Sequence, residues 1–144
     1  MKRKNFSILF ATVLVLSLSL IPVVPAMANG GGNGEVIEVL IDIKPGSEDN
    51  CINLESKGVV PVAVLTTDGF DASDVNPGTV VFAEYVSWVR WVMCDVDGDG
   101  DLDMLFHFKT QLLDLDESST EATLTGETTD GQLIEGTDVV KMVP

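Results

Sequence analysis

Val86-Ser-Trp-Val-Arg-Trp-Val-Met-Cys94, Asp95-Val-Asp-Gly-Asp-Gly-Asp-Leu-Asp103 and Met104-Leu-Phe-His-Phe-Lys109 follow one another without a break and differ sharply in character. In the first segment Val86, Trp88, Val92 and Cys94 share one parity with Arg90, the period of two that a half-buried strand requires. Leu102, Met104, Phe106 and Phe108 alternate in the same way against Asp103, His107 and Lys109. One strand enters the acidic segment and another leaves it, so the acidic residues cap a β-hairpin. Trp88 and Trp91 fall on opposite faces of the entering strand, which sends one into the core and leaves the other at the surface.

The cap itself places five carboxylates within nine residues. Like charges at that density repel unless a cation relieves them, and hard oxygen donors select a hard cation. In calcium loops the first, third and fifth positions supply side-chain oxygens, the seventh a backbone carbonyl, and the ninth a carboxylate or a water, with glycine at the sixth. Asp95, Asp97, Asp99, Gly100, Asp101 and Asp103 occupy those places in order. Magnesium demands stricter octahedral geometry and zinc prefers nitrogen and sulfur, so calcium is the expected ion. The twelfth position, where the helix-loop-helix version carries a bidentate Glu, is Phe106, which excludes an EF-hand. The loop is similar instead to the strand-flanked calcium loops of integrin-type and other extracellular β-proteins. Without the bidentate ligand the expected affinity is weak, about 10⁻⁴ to 10⁻³ M.

Moving outward, Glu35 to Lys44 puts Ile37, Val39, Ile41 and Ile43 on one face and Glu38 and Asp42 on the other, and Pro45-Gly46 stops it. Gly58 to Leu65 is apolar on both faces and reads as a strand covered from both sides, with Pro61 arguing for an edge or a bulge. Thr79 to Ala83, Ala122 to Gly126, Gln132 to Glu135 and Gly136 to Val143 supply further strands. Thr129-Asp130-Gly131 reads as a tight hairpin turn. Asp68, Asp71 and Asp74, and likewise Asp114, Asp116 and Glu117, read as turn and capping residues. Seven or eight short strands separated by turns, without a sustained helical period, predict an all-β, antiparallel β-sandwich.

At the other end, Lys2, Arg3 and Lys4 precede an apolar run from Phe6 to Ile21 and the small-residue site Ala26-Met-Ala28, the layout of a secretory signal peptide over residues 1–28. An uncleaved anchor is the alternative, against which Pro22 and Pro25 argue. Residues 29–34, Asn-Gly-Gly-Gly-Asn-Gly, form a flexible leader to a single β-domain over 35–144. Removal of the signal leaves five basic and 23 acidic residues, a net charge of −18. That charge repels phosphate and anionic lipid, which excludes nucleic acid and, after cleavage, a membrane surface as partners. Cys51 and Cys94, the two cysteines, are expected to form a disulfide if the chain passes an oxidising compartment; two buried thiols are the alternative. A bridge closing 42 residues would contribute about 4 kcal/mol and would hold the entrance of the acidic loop.

His107, the only histidine, lies between aromatics on a strand, a packed or surface position rather than that of a general base. No nucleophile elbow, phosphate loop or zinc spacing occurs, so no enzyme is expected. Ile41-Asp-Ile-Lys-Pro-Gly-Ser47, Cys51-Ile-Asn53, Ser56 to Leu65, the Asp95 loop with Phe106-His-Phe108, Leu124-Thr-Gly126, and Asp130-Gly131 through Val143-Pro144 together resemble a module of secreted and surface proteins of environmental bacteria and archaea. The resemblance implies an immunoglobulin-like sandwich with calcium on Asp95, Asp97, Asp99, Asp101 and Asp103, and implies no activity. The expected function is a non-catalytic, extracellular calcium-binding structural or adhesion module that meets a protein or glycan at the cell surface or matrix. The alternatives are a self-assembling fibre or surface-layer subunit, a homo-oligomer, and a carbohydrate-binding domain or small hydrolase that uses Trp88 or Trp91 as a stacking platform.

Overall fold

The computed structural model describes residues 34–144. The signal peptide and residues 29–33 of the leader lie outside the described residues. Eleven strands follow: β1 (Val36–Glu38), β2 (Ile41–Ile43), β3 (Cys51–Asn53), β4 (Val59–Val64), β5 (Val75–Phe82), β6 (Val86–Ser87), β7 (Arg90–Cys94), β8 (Asp103–Lys109), β9 (Glu121–Thr128), β10 (Leu133–Val139) and β11 (Lys141–Val143). Two 3₁₀ turns, Ala72–Asp74 and Thr110–Leu112, are the only helical elements among the described residues. The chain is all-β.

The strands form a five-stranded sheet in the order β1-β10-β9-β5-β6, a four-stranded sheet in the order β2-β4-β8-β7, and a two-stranded ribbon of β11 with β3. Most pairs are antiparallel, as expected, but β1 runs parallel to β10 and β11 parallel to β3. The inner faces of both large sheets meet in one hydrophobic core. Ile41, Ile43, Val60, Val62, Val64, Phe106 and Phe108 come from the four-stranded side, and Val75, Val80, Phe82, Leu124 and Ile134 from the five-stranded side. Phe82 and Phe108 meet across the core with ring centroids 5.0 Å apart. Each such buried side chain contributes about 1.5–3 kcal/mol of transfer free energy.

The strand count exceeds the expected seven or eight because two predicted strands change sheets midway and Cys51–Asn53 adds a short strand that the sequence reading left out. Glu35 to Lys44 is divided into β1 and β2: the Val39 N–H donates to the Glu135 carbonyl of β10, whereas the Leu40 carbonyl accepts from Leu65 beyond β4. Val86 to Cys94 is divided likewise, β6 pairing with β5 and β7 with β8. The first crossing keeps the period-two alternation intact, so the pattern of apolar residues carries no trace of it, whereas the second reverses parity: Val86 and Trp88 pack against the core, but beyond the crossing Met93 does so and Val92 is exposed. Pro61 is also not at an edge, since β4 lies between β2 and β8. Its carbonyl accepts from Lys44, just past the end of β2, and the N and C=O of one strand residue face the same neighbour. The missing N–H therefore removes nothing from the ladder with β8.

Trp88 is the core-facing tryptophan, donating its indole N–H to the Pro77 carbonyl at 2.7 Å and lying 6.4 Å from Phe106. Trp91 is the surface one, 38% exposed. The turn at Thr129-Asp130-Gly131 joins β9 and β10 as expected, closed by Gly131 N–H to Thr128 O at 2.9 Å.

Candidate metal centre

β7 and β8 pair as an antiparallel hairpin from Arg90 opposite His107 to Cys94 opposite Asp103. The segment between them, residues 95–102, coils on itself through aspartate side chains that accept from backbone N–H groups ahead of them. Asp95 accepts from Gly98 on Oδ1 at 2.8 Å and from Gly100 on Oδ2 at 2.9 Å. Asp97 accepts from Asp99 at 3.3 Å, and Asp99 from Asp101 at 2.9 Å. The coil closes because Gly98 and Gly100 take φ of 76° and 97°, values that residues with a side chain rarely adopt.

This winding brings Asp95, Asp97 and Asp99 together at the exposed tip, with one carboxylate oxygen from each within 4.8 Å of the others. Ligands on opposite sides of an ion bound at 2.3–2.6 Å stand about 4.6–5.2 Å apart, so the three oxygens can contact one cation. The Gly100 N–H first, and the Gly98 N–H with it, hold the Asp95 carboxyl below the ordinary carboxylate value. Asp97 is pushed the other way, first by loss of hydration and then by the neighbouring Asp99 and Asp103. One member of the cluster is thus held ionised while another lacks a counter-charge, which a cation would supply.

The remaining two expected ligands stand apart from this cluster. Asp103 is fully buried, and both its oxygens are committed: Oδ1 accepts from Thr66 N–H at 2.8 Å and Oδ2 from Val96 N–H at 3.0 Å. It fastens the base of the loop to the segment after β4 rather than facing the tip. The Thr66 hydroxyl completes the fastening, donating to the Leu102 carbonyl and accepting from Ala72 N–H. Asp101 lines a neighbouring cleft of about 560 Å³, where Asp68, Asp71, Asp74 and Asp130 also gather around Thr66 and Phe70. The sequence separates these aspartates by up to 62 positions, and no local pattern announces their convergence. Asp71 behaves as a cap as expected, accepting from Ser73 on both its N–H and its hydroxyl.

The disulfide expectation is corrected: Cys51 and Cys94 are free thiols. Cys51 pairs with Lys141 in the two-stranded ribbon, while Cys94 pairs with Asp103 in the four-stranded sheet. The entrance of the loop is held by the Asp103 carboxylate, not by sulfur. His107 occupies the outer face opposite Arg90 and Pro61, half-buried, its imidazole held below its ordinary value by burial and then by the Arg90 charge. Searches with protein-family models, against curated proteins and against solved structures return no match to this chain.

Proposed function

We propose that the chain is a non-catalytic, exported calcium-binding module with an immunoglobulin-like sandwich, serving as a structural or adhesion unit toward a protein or glycan at the cell surface or matrix. The observation that carries this reading is the convergence of the Asp95, Asp97 and Asp99 oxygens within 4.8 Å at a hairpin tip. The oxygen-only donor set favours calcium over zinc, and the exposure of the tip, which leaves room for waters, suits a weak extracellular site. The charged N-terminal residues, apolar run and small-residue site support export. Two sheets pooling one core support the sandwich, although the parallel pairings of β1 and β11 depart from a purely antiparallel immunoglobulin pattern.

Thermal melting in calcium and in chelator tests this reading. At about 10 mM calcium and the affinity expected from the loop, binding stabilises the folded state by about 1.4–2.7 kcal/mol, a rise in Tm of roughly 5–15 °C. The part of the gain that comes from the loop is expected to vanish in Asp97→Asn. Identical melts in both conditions would overturn the proposal.

A second reading, self-assembly, is favoured by one observation. β7 is a terminal strand of its sheet, and Val89 just before it and Trp91 and Val92 along it are exposed. Such an open apolar edge can accept a strand from another copy. Sedimentation of the purified chain across a concentration series separates the readings, since only the second requires species larger than a monomer.

A further inference from the structure

The ladder of the four-stranded sheet fixes which peptide groups β7 leaves open. Lys44 N–H donates to the Pro61 carbonyl and Thr110 N–H to the Gly58 carbonyl, so Pro61 faces β2 while Val60, Val62 and Val64 face β8. By the registers of the two pairings, His107, Leu105 and Asp103 of β8 then face β7, opposite Arg90, Val92 and Cys94. The N–H and C=O groups of Trp91 and Met93 therefore point out of the sheet, in which β7 is terminal. Val89 adds nothing to this edge, because its N–H turns back to the His107 carbonyl. The other terminal strands are closed or short: the Ile43 N–H of β2 is taken by Asp138 Oδ2 at 3.0 Å, β6 has two residues, and β1 has three and ends on Glu38. β7 has five residues with neither Pro nor Lys, the residues that commonly guard an edge.

Charge decides which way a neighbouring copy of β7 must run. The acidic segment follows Cys94 directly, so a parallel neighbour would set two such tips side by side at about the 4.8 Å strand spacing. In an antiparallel pair the tips lie at opposite ends. Hydrogen bonding then selects the register. Setting Trp91 against Met93 of the second copy uses every open group, Trp91 N–H to Met93 O and Met93 N–H to Trp91 O, each repeated by a two-fold axis at Val92. In that register the two Asp95 residues stand roughly 20 Å apart along the strands, well beyond the screening length of about 8 Å at physiological salt. Arg90, the basic residue of β7, comes opposite Cys94 of the second copy, one residue from that copy's Asp95. The side chains match as well: Trp91 meets Met93 on the core side, an aromatic–sulfur pair, and exposed Val92 meets its own equivalent on the outer side.

We propose that two copies of the chain pair antiparallel through β7 about a two-fold axis at Val92, joining their four-stranded sheets into one continuous sheet. The proposal rests on the self-assembly reading and narrows it. A two-fold pair consumes the edge of both copies and closes, whereas a fibre requires a second, different contact.

The test joins disulfide trapping to sedimentation of the full chain in about 150 mM NaCl, where charge repulsion between copies is screened. Cys51→Ser and Cys94→Ser first remove the free thiols. Across the proposed axis the Val92 residues form a non-hydrogen-bonded pair with Cα atoms about 4.5 Å apart, a separation that a disulfide spans. Val92→Cys in this background is therefore expected to form a covalent dimer under mild oxidation about tenfold or more faster than Val139→Cys, a control that is more exposed and lies outside this edge. Sedimentation of the wild-type chain is expected to reach a dimer and no larger species. Val92→Lys, which sets two like charges on the axis at an exposed position, is expected to abolish the dimer with circular dichroism unchanged. Assemblies that persist in Val92→Lys, or Val92→Cys linking no faster than Val139→Cys while larger species still sediment, would overturn this pairing and leave self-assembly by another contact. A chain that stays monomeric throughout, with the two cysteine variants linking alike, would overturn both.

Discussion

At Asp103 a fully buried carboxylate spends both oxygens on backbone N–H groups, those of Thr66 and Val96. Hydrogen bonds to a charged group carry more free energy than neutral ones, and an orphaned buried donor costs further. Asp103→Asn retains the shape but turns an NH₂ group toward one of those N–H donors. It is expected to cost roughly 2–3 kcal/mol in urea unfolding, a larger loss than Asp101→Asn at the exposed neighbouring position. His107 gives a pH signature at the same scale. Its folded-state value lies below its ordinary 6.5, so the unfolded chain takes up the proton first as pH falls. The stability linked to His107 is therefore present above about 6.5 and is lost as pH falls from there toward the folded value. Unfolding curves collected between neutral and mildly acidic pH are expected to show this slope in the wild type and to lack it in His107→Gln.

At the scale of elements, the place where β10 crosses β2 leaves no room for a side chain. A Cβ at Gly136 would lie 2.6 Å from Ile41 Cγ2 and 2.7 Å from the Val39 carbonyl oxygen. Gly136→Ala is therefore expected to destabilise by about 1–3 kcal/mol, whereas Gly69→Ala, where nothing lies within 4 Å, stays within about 0.5 kcal/mol. The crossing also shows what was legible in the sequence. The hairpin around the acidic loop, the inward parity of Ile41, Ile43, Phe106 and Phe108, and the turn at Asp130-Gly131 follow from local alternation and turn chemistry, and they hold. Which sheet a strand joins is decided by peptide hydrogen bonds at Val39, Leu40 and Val89; at the first crossing these leave the side-chain period unchanged, and at the second the core-facing parity passes from Trp88 to Met93 with no signal in the residue types. The same reason hides the site's deeper layer: Asp103 looks like one more loop ligand until Thr66, 37 positions earlier, is found against it.

For the whole molecule, charge and thiols separate the possible sources of stability. With Cys51 and Cys94 free, the stabilisation of about 4 kcal/mol that a bridge would supply is absent. Protein unfolded without reductant is expected to react with two equivalents of a thiol reagent, and its melting to be indifferent to reductant. A titre near zero, with melting lowered by reductant, would restore the bridge. Acidic residues outnumber basic ones 23 to 8 in the full chain, so a bound cation would also offset self-repulsion. The most direct measurement is therefore one that locates the ion: a calcium titration followed by ¹H–¹⁵N correlation spectra. Saturable shifts are expected to concentrate at Gly98, Asp99, Gly100 and Asp101, whose N–H groups are bonded to the three clustered carboxylates or flank them. Amides of residues 95–101 that stay unmoved while calcium is raised well past the millimolar range would contradict the central claim.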